Sequence, residues 1–301
     1  MDIKKLRILI ASIGSTFGVV FSCLGFTGIL GQSSNSKKYA EWMKDIDDDT
    51  SLRDINMPGS HDTMALYSIG DLAGQCQSLS LKDQLNLGIR FLDIRLKQEN
   101  TNLKAVHGIV DEKASFKSIT TTIKSFLNDH PSELIVMSIK EEVKTKNSIS
   151  FDECLKTYLT DDIYELGSAI PSKLGDVRGK VILLSRYAGS SIGIPAFGGW
   201  ADSASFTLPN DIYVQDTYKI TSKEQKQDEI VKCFNESGHA LKINFLSAYR
   251  TNYFPPSYAP SSALDINPWI NKEISKYNDR GIVLYDFVTE ANMDAFFGGS
   301  L

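Results

Sequence analysis

The chain has 301 residues, of which 42% are hydrophobic and 23% charged, with a formal net charge of −5. That is ordinary globular composition with enough apolar material for a sizeable core, and the length suits one large domain or two small ones. A net negative body without a dense Lys/Arg block argues against a nucleic-acid partner and against membrane binding through bulk positive charge.

At the N-terminus Lys4, Lys5 and Arg7 precede a run from Ile8 to Ser36 that carries no formal charge. A basic start followed by an apolar stretch is the pattern of an export signal, and the run is long enough to span a bilayer. Gly14, Gly18, Gly25, Gly28 and Gly31 interrupt it, and no A-x-A cleavage site follows. A cleaved signal and an uncleaved anchor over residues 8–31 both fit, and a buried N-terminal helix is the alternative. Either export reading makes the body secreted or extracytoplasmic. Residues 1–38 are therefore read as leader and polar linker, and 39–301 as the body of the protein. Cys76, Cys154 and Cys233 are too few for a disulfide framework, and Asn235-Glu236-Ser237 is a glycosylation sequon.

Past the linker, Tyr39–Ile46 reads as a short helix and Asp47-Asp48-Asp49 as a turn. Short β-rich runs then alternate with helical segments, the pattern of parallel β/α architecture. Predicted strands are Leu52–Met57, Ile89–Leu96, Lys104–His107, Leu134–Ile139, Lys180–Ser185, Ile212–Gln215, Leu241–Leu246 and Gly281–Tyr285. Predicted helices are Leu79–Leu87, Phe116–Asn128, Phe151–Leu159, Lys223–Asn235 and Pro268–Asp279. Eight strands in one continuous β/α chain imply a distorted (β/α)8, TIM-like barrel in a single domain. The gap from Lys97 to Leu103 is too short for a crossover helix, so the barrel should be irregular or incompletely closed. An open doubly wound sheet is the alternative.

A barrel of this kind must gather its active-site residues at the C-terminal ends of the strands. Those ends carry His61-Asp62, Arg95, His107, Lys140, Arg186, Asp216 with Tyr218, Ser247 and Asp286. Strand ends are wet in any case, so some polarity is expected there. Two histidines nevertheless offer one proton acceptor and one donor near neutral pH. Arg95 offers a planar fork suited to phosphate. With Lys140 and Arg186 on other exits, the mouth suits an anionic or polyhydroxylated ligand. There is no His/Cys group at zinc-ligand spacing, no G-x-x-x-x-G-K-[ST] loop and no G-x-G-x-x-G fingerprint, so nucleotide binding lacks a motif.

Three segments carry a family likeness: Ile55-Asn56-Met57-Pro58-Gly59-Ser60-His61-Asp62-Thr63, Gly88-Ile89-Arg90-Phe91-Leu92-Asp93-Ile94-Arg95 and Val106-His107-Gly108. They resemble the X-box of phosphatidylinositol-specific phospholipase C. Phe126 to Lys140, Gly175 to Lys180, Leu184 to Tyr187, Val214 to Tyr218 and Leu284 to Phe287 extend the match in order, so the likeness spans roughly residues 39 to 290. It is closest in kind to the small, single-domain bacterial enzymes.

The resemblance implies a distorted barrel and an intramolecular phosphotransfer. The inositol 2-hydroxyl attacks its neighbouring phosphate, giving diacylglycerol and inositol 1,2-cyclic phosphate from phosphatidylinositol or from a glycosyl-phosphatidylinositol anchor. Carried over by motif, His61 is the general base oriented by Asp286, and His107 the general acid with Asp62 as partner. Arg95 binds phosphate, while Lys140, Arg186, Asp216 and Tyr218 hold the inositol ring. An arginine at position 95, where calcium-dependent members cluster carboxylates, implies catalysis without calcium or another cofactor. Asp93 is read as part of the strand motif. The expected partner is a phospholipid at the lipid–water interface, met by a monomer. Leu66-Tyr67 with Leu72 and Tyr253 to Tyr258 are candidates to dip into the lipid surface, and packing on the barrel rim is the alternative reading of them. Two alternatives differ in class: a metal-dependent glycerophosphodiester phosphodiesterase-like barrel, disfavoured by Arg95, and a non-catalytic inositol-lipid-binding module. The tail Phe296-Phe297-Gly298-Gly299 fits no part of the resemblance.

Overall fold

A computed structural model of the protein describes residues 37–68, 74–250 and 259–298. The leader, Leu72 and Tyr253 to Tyr258 lie outside these residues. Its centre is a sheet whose long members run parallel: β1 (Met57–Ser60), β2 (Phe91–Glu99), β5 (Ile135–Val143), β7 (Val181–Arg186), β10 (Ile212–Gln215), β12 (Leu241–Phe245) and β14 (Ile282–Tyr285). They follow the order β7-β5-β2-β1-β14-β12-β10, and the path ends on short edge strands, β6 (Tyr164–Glu165) beside β7 and β9 (Ser205–Thr207) beside β10. β8 (Ile194–Pro195) also pairs with β7, off this path, while β11 (Lys219–Ile220) and β13 (Tyr249–Arg250) pair with each other apart from it. The strip curls into a barrel that the hydrogen bonds do not close, the irregularity that the short Lys97–Leu103 gap implies. Every residue of β1, β7 and β14 is buried, as parallel strands covered on both faces must be. Gly59 makes the β1–β2 approach fit, since a Cβ there would come within 2.9 Å of the Phe91 Cβ.

The helices follow their local signals. α2 (Phe116–Asp129) buries Phe116, Ile119, Ile123, Phe126 and Leu127, one stripe at helical spacing, and Ser115 caps its first turn. α3 (Phe151–Lys156) starts on a Ser150/Glu153 capping box, and Ser222 caps α4 (Lys223–Asn235). α1 (Leu81–Asn86) is capped by Ser80.

Four expectations are corrected. Leu52–Met57 is not the first strand: Leu52–Asp54 is a 3-10 turn, and β1 begins at Met57. The Asn56 side chain accepts there from the Arg280 and Gly281 amides, which ties the start of β1 to the start of β14. Tyr39–Ile46 forms successive turns, not a helix. These turns are tied down by the fully buried Arg90–Glu133 pair (2.8 Å), in which Arg90 also donates to the Ala40 carbonyl and Glu133 accepts from the Met43 amide. Lys104–His107 lies off the barrel path. It belongs to β3 (Asn102–His107), which pairs antiparallel with β2 and with the unforeseen β4 (Val110–Ser115). The helix expected over Pro268–Asp279 instead begins earlier, and Pro268 sits inside α5 (Ala259–Glu273).

The tail is also structural. α6 (Glu290–Phe297) ends on Gly298 at φ 73°, and Phe297 stacks on Tyr39 with ring centroids 4.6 Å apart. No helix among the described residues is long and apolar enough to cross a membrane.

Candidate active site

Strand register assembles the site. Arg95, Lys140 and Arg186 are direct Cα partners across β2, β5 and β7, so one row of the sheet delivers three cations to the same mouth. Ser60 partners Tyr285, which brings the following residues, His61 and Asp286, together at the exits of β1 and β14. Both exits turn sharply: Asp62 has φ 41° and Phe287 φ 48°, the second an unfavourable conformation for a bulky residue and a local strain beside the site. His107 arrives differently, from the end of the β3 hairpin.

These residues line a cavity of about 770 Å³. His61, Arg95, His107, Lys140, Arg186, Asp216, Tyr218, Ser247 and Asp286 all face it, and Asp62 is buried just beneath. The predicted residues are thus brought together.

His61 is held at both ring nitrogens. Nδ1 pairs with an Asp286 carboxylate oxygen at 2.7 Å, and the Arg95 guanidinium lies 2.8 Å from Nε2. A guanidinium only donates, so Nε2 carries the lone pair and Nδ1 the proton given to Asp286. Burial opposes the imidazolium, but the Asp286 carboxylate outweighs it and raises the His61 pKa above the ordinary value. His107 is fixed through Nδ1, 2.5 Å from the Gly74 carbonyl, which leaves Nε2 facing Asp62 at 3.4 Å. Gly74 has φ 101°, a conformation that lets this carbonyl turn towards the histidine and that side-chain-bearing residues rarely adopt. Asp62 is shared: its Oδ2 is also 3.4 Å from Arg95. Burial raises its pKa, and Arg95 and His107 only partly offset this.

The residue that sequence reasoning undervalued is Asp93. It is fully buried, its Oδ2 accepts from Arg95 (3.1 and 3.3 Å) and from the Asp62 amide (3.0 Å), and its Oδ1 accepts from Arg186 (3.1 Å). Burial disfavours its carboxylate, yet the two arginines more than compensate and hold it ionised far below the usual range. Its signal was present, since position 93 shares a strand face with 95. Glu142 likewise shares a face with Lys140, which it pairs at 2.7 Å, and it lies 4.0 Å from Arg95. Trp200 gave no local signal. Its ring lies under the Arg186 guanidinium (3.5 Å to the centroid), and its Nε1 donates to Asp216 at 3.0 Å. Tyr218 donates to Asp202, which also pairs with Lys219.

Residues 55–187 match the family model described as phosphatidylinositol-specific phospholipase C, X domain. A 1-phosphatidylinositol phosphodiesterase of Listeria monocytogenes is 31% identical over 271 residues, covering 84% of this chain and 82% of that protein. The chain belongs to the phosphatidylinositol-specific phospholipase C family. A 1-phosphatidylinositol phosphodiesterase of Staphylococcus aureus is 30% identical, with 80% of this chain and 85% of that protein covered. In structure the enzyme is similar to a mutant of the phosphatidylinositol-specific phospholipase C of Staphylococcus aureus, with TM-score 0.75 and 26% identity over 86% of this chain and 98% of that one. The Listeria monocytogenes enzyme gives TM-score 0.72 and 26% identity, with 87% and 99% covered.

Proposed function

We propose that the enzyme cleaves phosphatidylinositol by intramolecular phosphotransfer, with His61 as base and His107 as acid on opposite sides of one phosphate. The observation that carries this reading is the pairing of His61, with Nδ1 2.7 Å from Asp286 and Nε2 2.8 Å from the Arg95 guanidinium. A guanidinium only donates, which assigns the proton to Nδ1 and the lone pair to Nε2. Arg95 thus covers the base in the free enzyme. A substrate phosphate draws the guanidinium onto its own oxygens and leaves Nε2 to the inositol 2-hydroxyl. The hydroxyl proton passes to His61 Nε2 as its oxygen bonds to phosphorus. The bond to the diacylglycerol oxygen breaks, and that oxygen takes the proton from His107 Nε2. Proximity and the fixed positive charge of Arg95 supply the acceleration.

Lys140, Arg186, Asp216 and Tyr218 hold the inositol ring, with Trp200 as a floor beneath Arg186. Because Arg95 is anchored by Asp93, Asp62 and Glu142, positive charge at the phosphate needs no calcium. The rim supports docking on a lipid surface: Ile109 is 90% exposed at the tip of the β3–β4 hairpin, two residues from His107, and Tyr67 and Phe197 are also exposed. The leader, residues 1–38, carries a monomeric body across a membrane as signal or anchor.

The test is turnover of phosphatidylinositol vesicles with and without EDTA, following release of inositol 1,2-cyclic phosphate. His61→Ala and His107→Ala should each lower turnover by about a hundred- to ten-thousand-fold with circular dichroism unchanged. Near-normal activity in either folded variant, or loss on chelation restored by calcium, refutes the mechanism.

A further inference from the structure

Cys76 has no part in the chemistry above, yet it lines the cavity, and its sulfur lies within 4.8 Å of a ring nitrogen of each histidine. The chain is pinned on both sides of it, the Cys76 amide donating to the Ala65 carbonyl (2.9 Å) and its carbonyl accepting from the Phe287 amide (2.7 Å). Its sulfur, one ring nitrogen of His107 and one carboxylate oxygen of Asp62 all lie within 4.8 Å of one another. The Asp62 Oδ2 is buried without a hydrogen-bond partner. His107 Nδ1 is held by the Gly74 carbonyl, so Nε2 is the nitrogen free to bind.

We propose that Cys76, His107 and Asp62 form a binding site for zinc or a similar thiophilic divalent cation, and that filling it reversibly inhibits the enzyme. Sulfur, imidazole and carboxylate form the mixed donor set that zinc accepts in tetrahedral sites, with the fourth position opening on the cavity. A carbonyl holding the far nitrogen of the histidine is the usual support for a metal-binding imidazole. Calcium and magnesium need several oxygen ligands, and Asp62 is the sole oxygen donor of this set, so they are excluded. A second triplet, His61, Cys76 and Asp286, has similar spacing. It is the weaker site because both His61 nitrogens are already engaged.

Two forces oppose binding. The Arg95 guanidinium lies 3.4 Å from the Asp62 oxygen, although Asp93 and Glu142 beside it offset that charge. The cation must also displace the thiol proton of Cys76 and, from the acid form of His107, the Nε2 proton, both of which pass to solvent, so its affinity rises with pH. Inhibition follows because the cation occupies His107 Nε2, and that step rests on the role proposed for His107. Binding itself does not.

Cobalt(II) reports the site directly, since a thiolate ligand gives it a near-ultraviolet charge-transfer band. The full chain should bind one cobalt with that band, and zinc should displace it and inhibit vesicle cleavage over the same concentration range, reversibly by EDTA. Cys76→Ser and Cys76→Ala should abolish the band and raise the zinc needed for half-inhibition at least about tenfold, with zinc-free turnover kept. Cys154→Ala and Cys233→Ala, changed at buried thiols outside the cavity, should keep the band. Absence of the band, or undiminished zinc inhibition in both Cys76 variants, overturns the site. Cobalt binding at Cys76 with full activity under saturating zinc upholds the site but refutes the inhibition, and with it the role given to His107.

Discussion

Asp93→Asn removes one charge and almost no volume, at a residue that touches neither phosphate nor sugar in the proposed mechanism. The carboxylate accepts four contacts: three on Oδ2, from Arg95 twice and the Asp62 amide, and one on Oδ1, from Arg186. An asparagine has a single acceptor oxygen. Turning it towards Arg95 and Asp62 saves three contacts and sets an amide N–H against Arg186, donor facing donor. Turning it the other way loses three. Either choice removes the carboxylate that pairs with Arg186 at 3.1 Å and one of the three that surround Arg95, and both guanidiniums are largely buried, at 6% and 13% exposed. Breaking one side of a buried ion pair costs about 3–5 kcal/mol, so the melting temperature should fall by several degrees. Arg95 then loses the support that aims it, and turnover should drop by about a hundred- to a thousand-fold, as when one preorganised donor is removed. Differential scanning calorimetry and vesicle kinetics at saturating substrate separate the two effects. If Asp93→Asn keeps kcat within about threefold while melting early, Asp93 is a structural residue and the positioning argument fails.

Asp286→Asn should lower kcat and move the acid limb of the pH–rate profile to lower pH. The carboxylate is what lifts His61 against its burial, and its loss lets the base deprotonate earlier. A limb that stays in place would refute Asp286 as the partner of the base. Arg95→Lys should cost at least about a hundredfold, because one ammonium cannot serve His61, Asp93 and two phosphate oxygens together. A lysine variant of near-normal rate would show that point charge alone suffices. Lys226 is fully buried, donates to the Gln215 side chain and the Thr217 carbonyl, and has its pKa depressed by burial to about 8 from 10.5. The folded chain therefore binds fewer protons than the unfolded chain between those values, and the lysine's contribution to stability rises with pH across that window. Urea unfolding below pH 8 and near pH 10.5 should show the parent gaining on Lys226→Met. A constant difference contradicts the depressed pKa.

Local chemistry decided much of this protein. Alternation of apolar runs with helical stripes identified the strands and helices of a parallel barrel, because burial on both faces and Ser caps leave marks in the chain itself. α4 was legible to the residue at both ends, between the Ser222 cap and the Glu236 exit. Placing charged residues at strand exits picked out His61, Arg95, Lys140, Arg186, Asp216, Tyr218 and Asp286 as candidates that line one mouth, since a barrel must gather those exits. His107, named on the same reasoning, reaches that mouth from β3, off the barrel path. Tertiary structure decided the rest. Sequence spacing cannot reveal that Lys104–His107 pairs backwards onto β2, because antiparallel and parallel strands share one hydrophobic period. Nor can it show that Gly74, 33 residues before His107, supplies that histidine's hydrogen-bond partner. Pairing through space made Asp93 the hub of two arginines, put Trp200 beneath Arg186 and set the Cys76 sulfur within 4.8 Å of a ring nitrogen of each histidine. Each depends on which strand or loop lies next to which, and that is fixed by long-range packing.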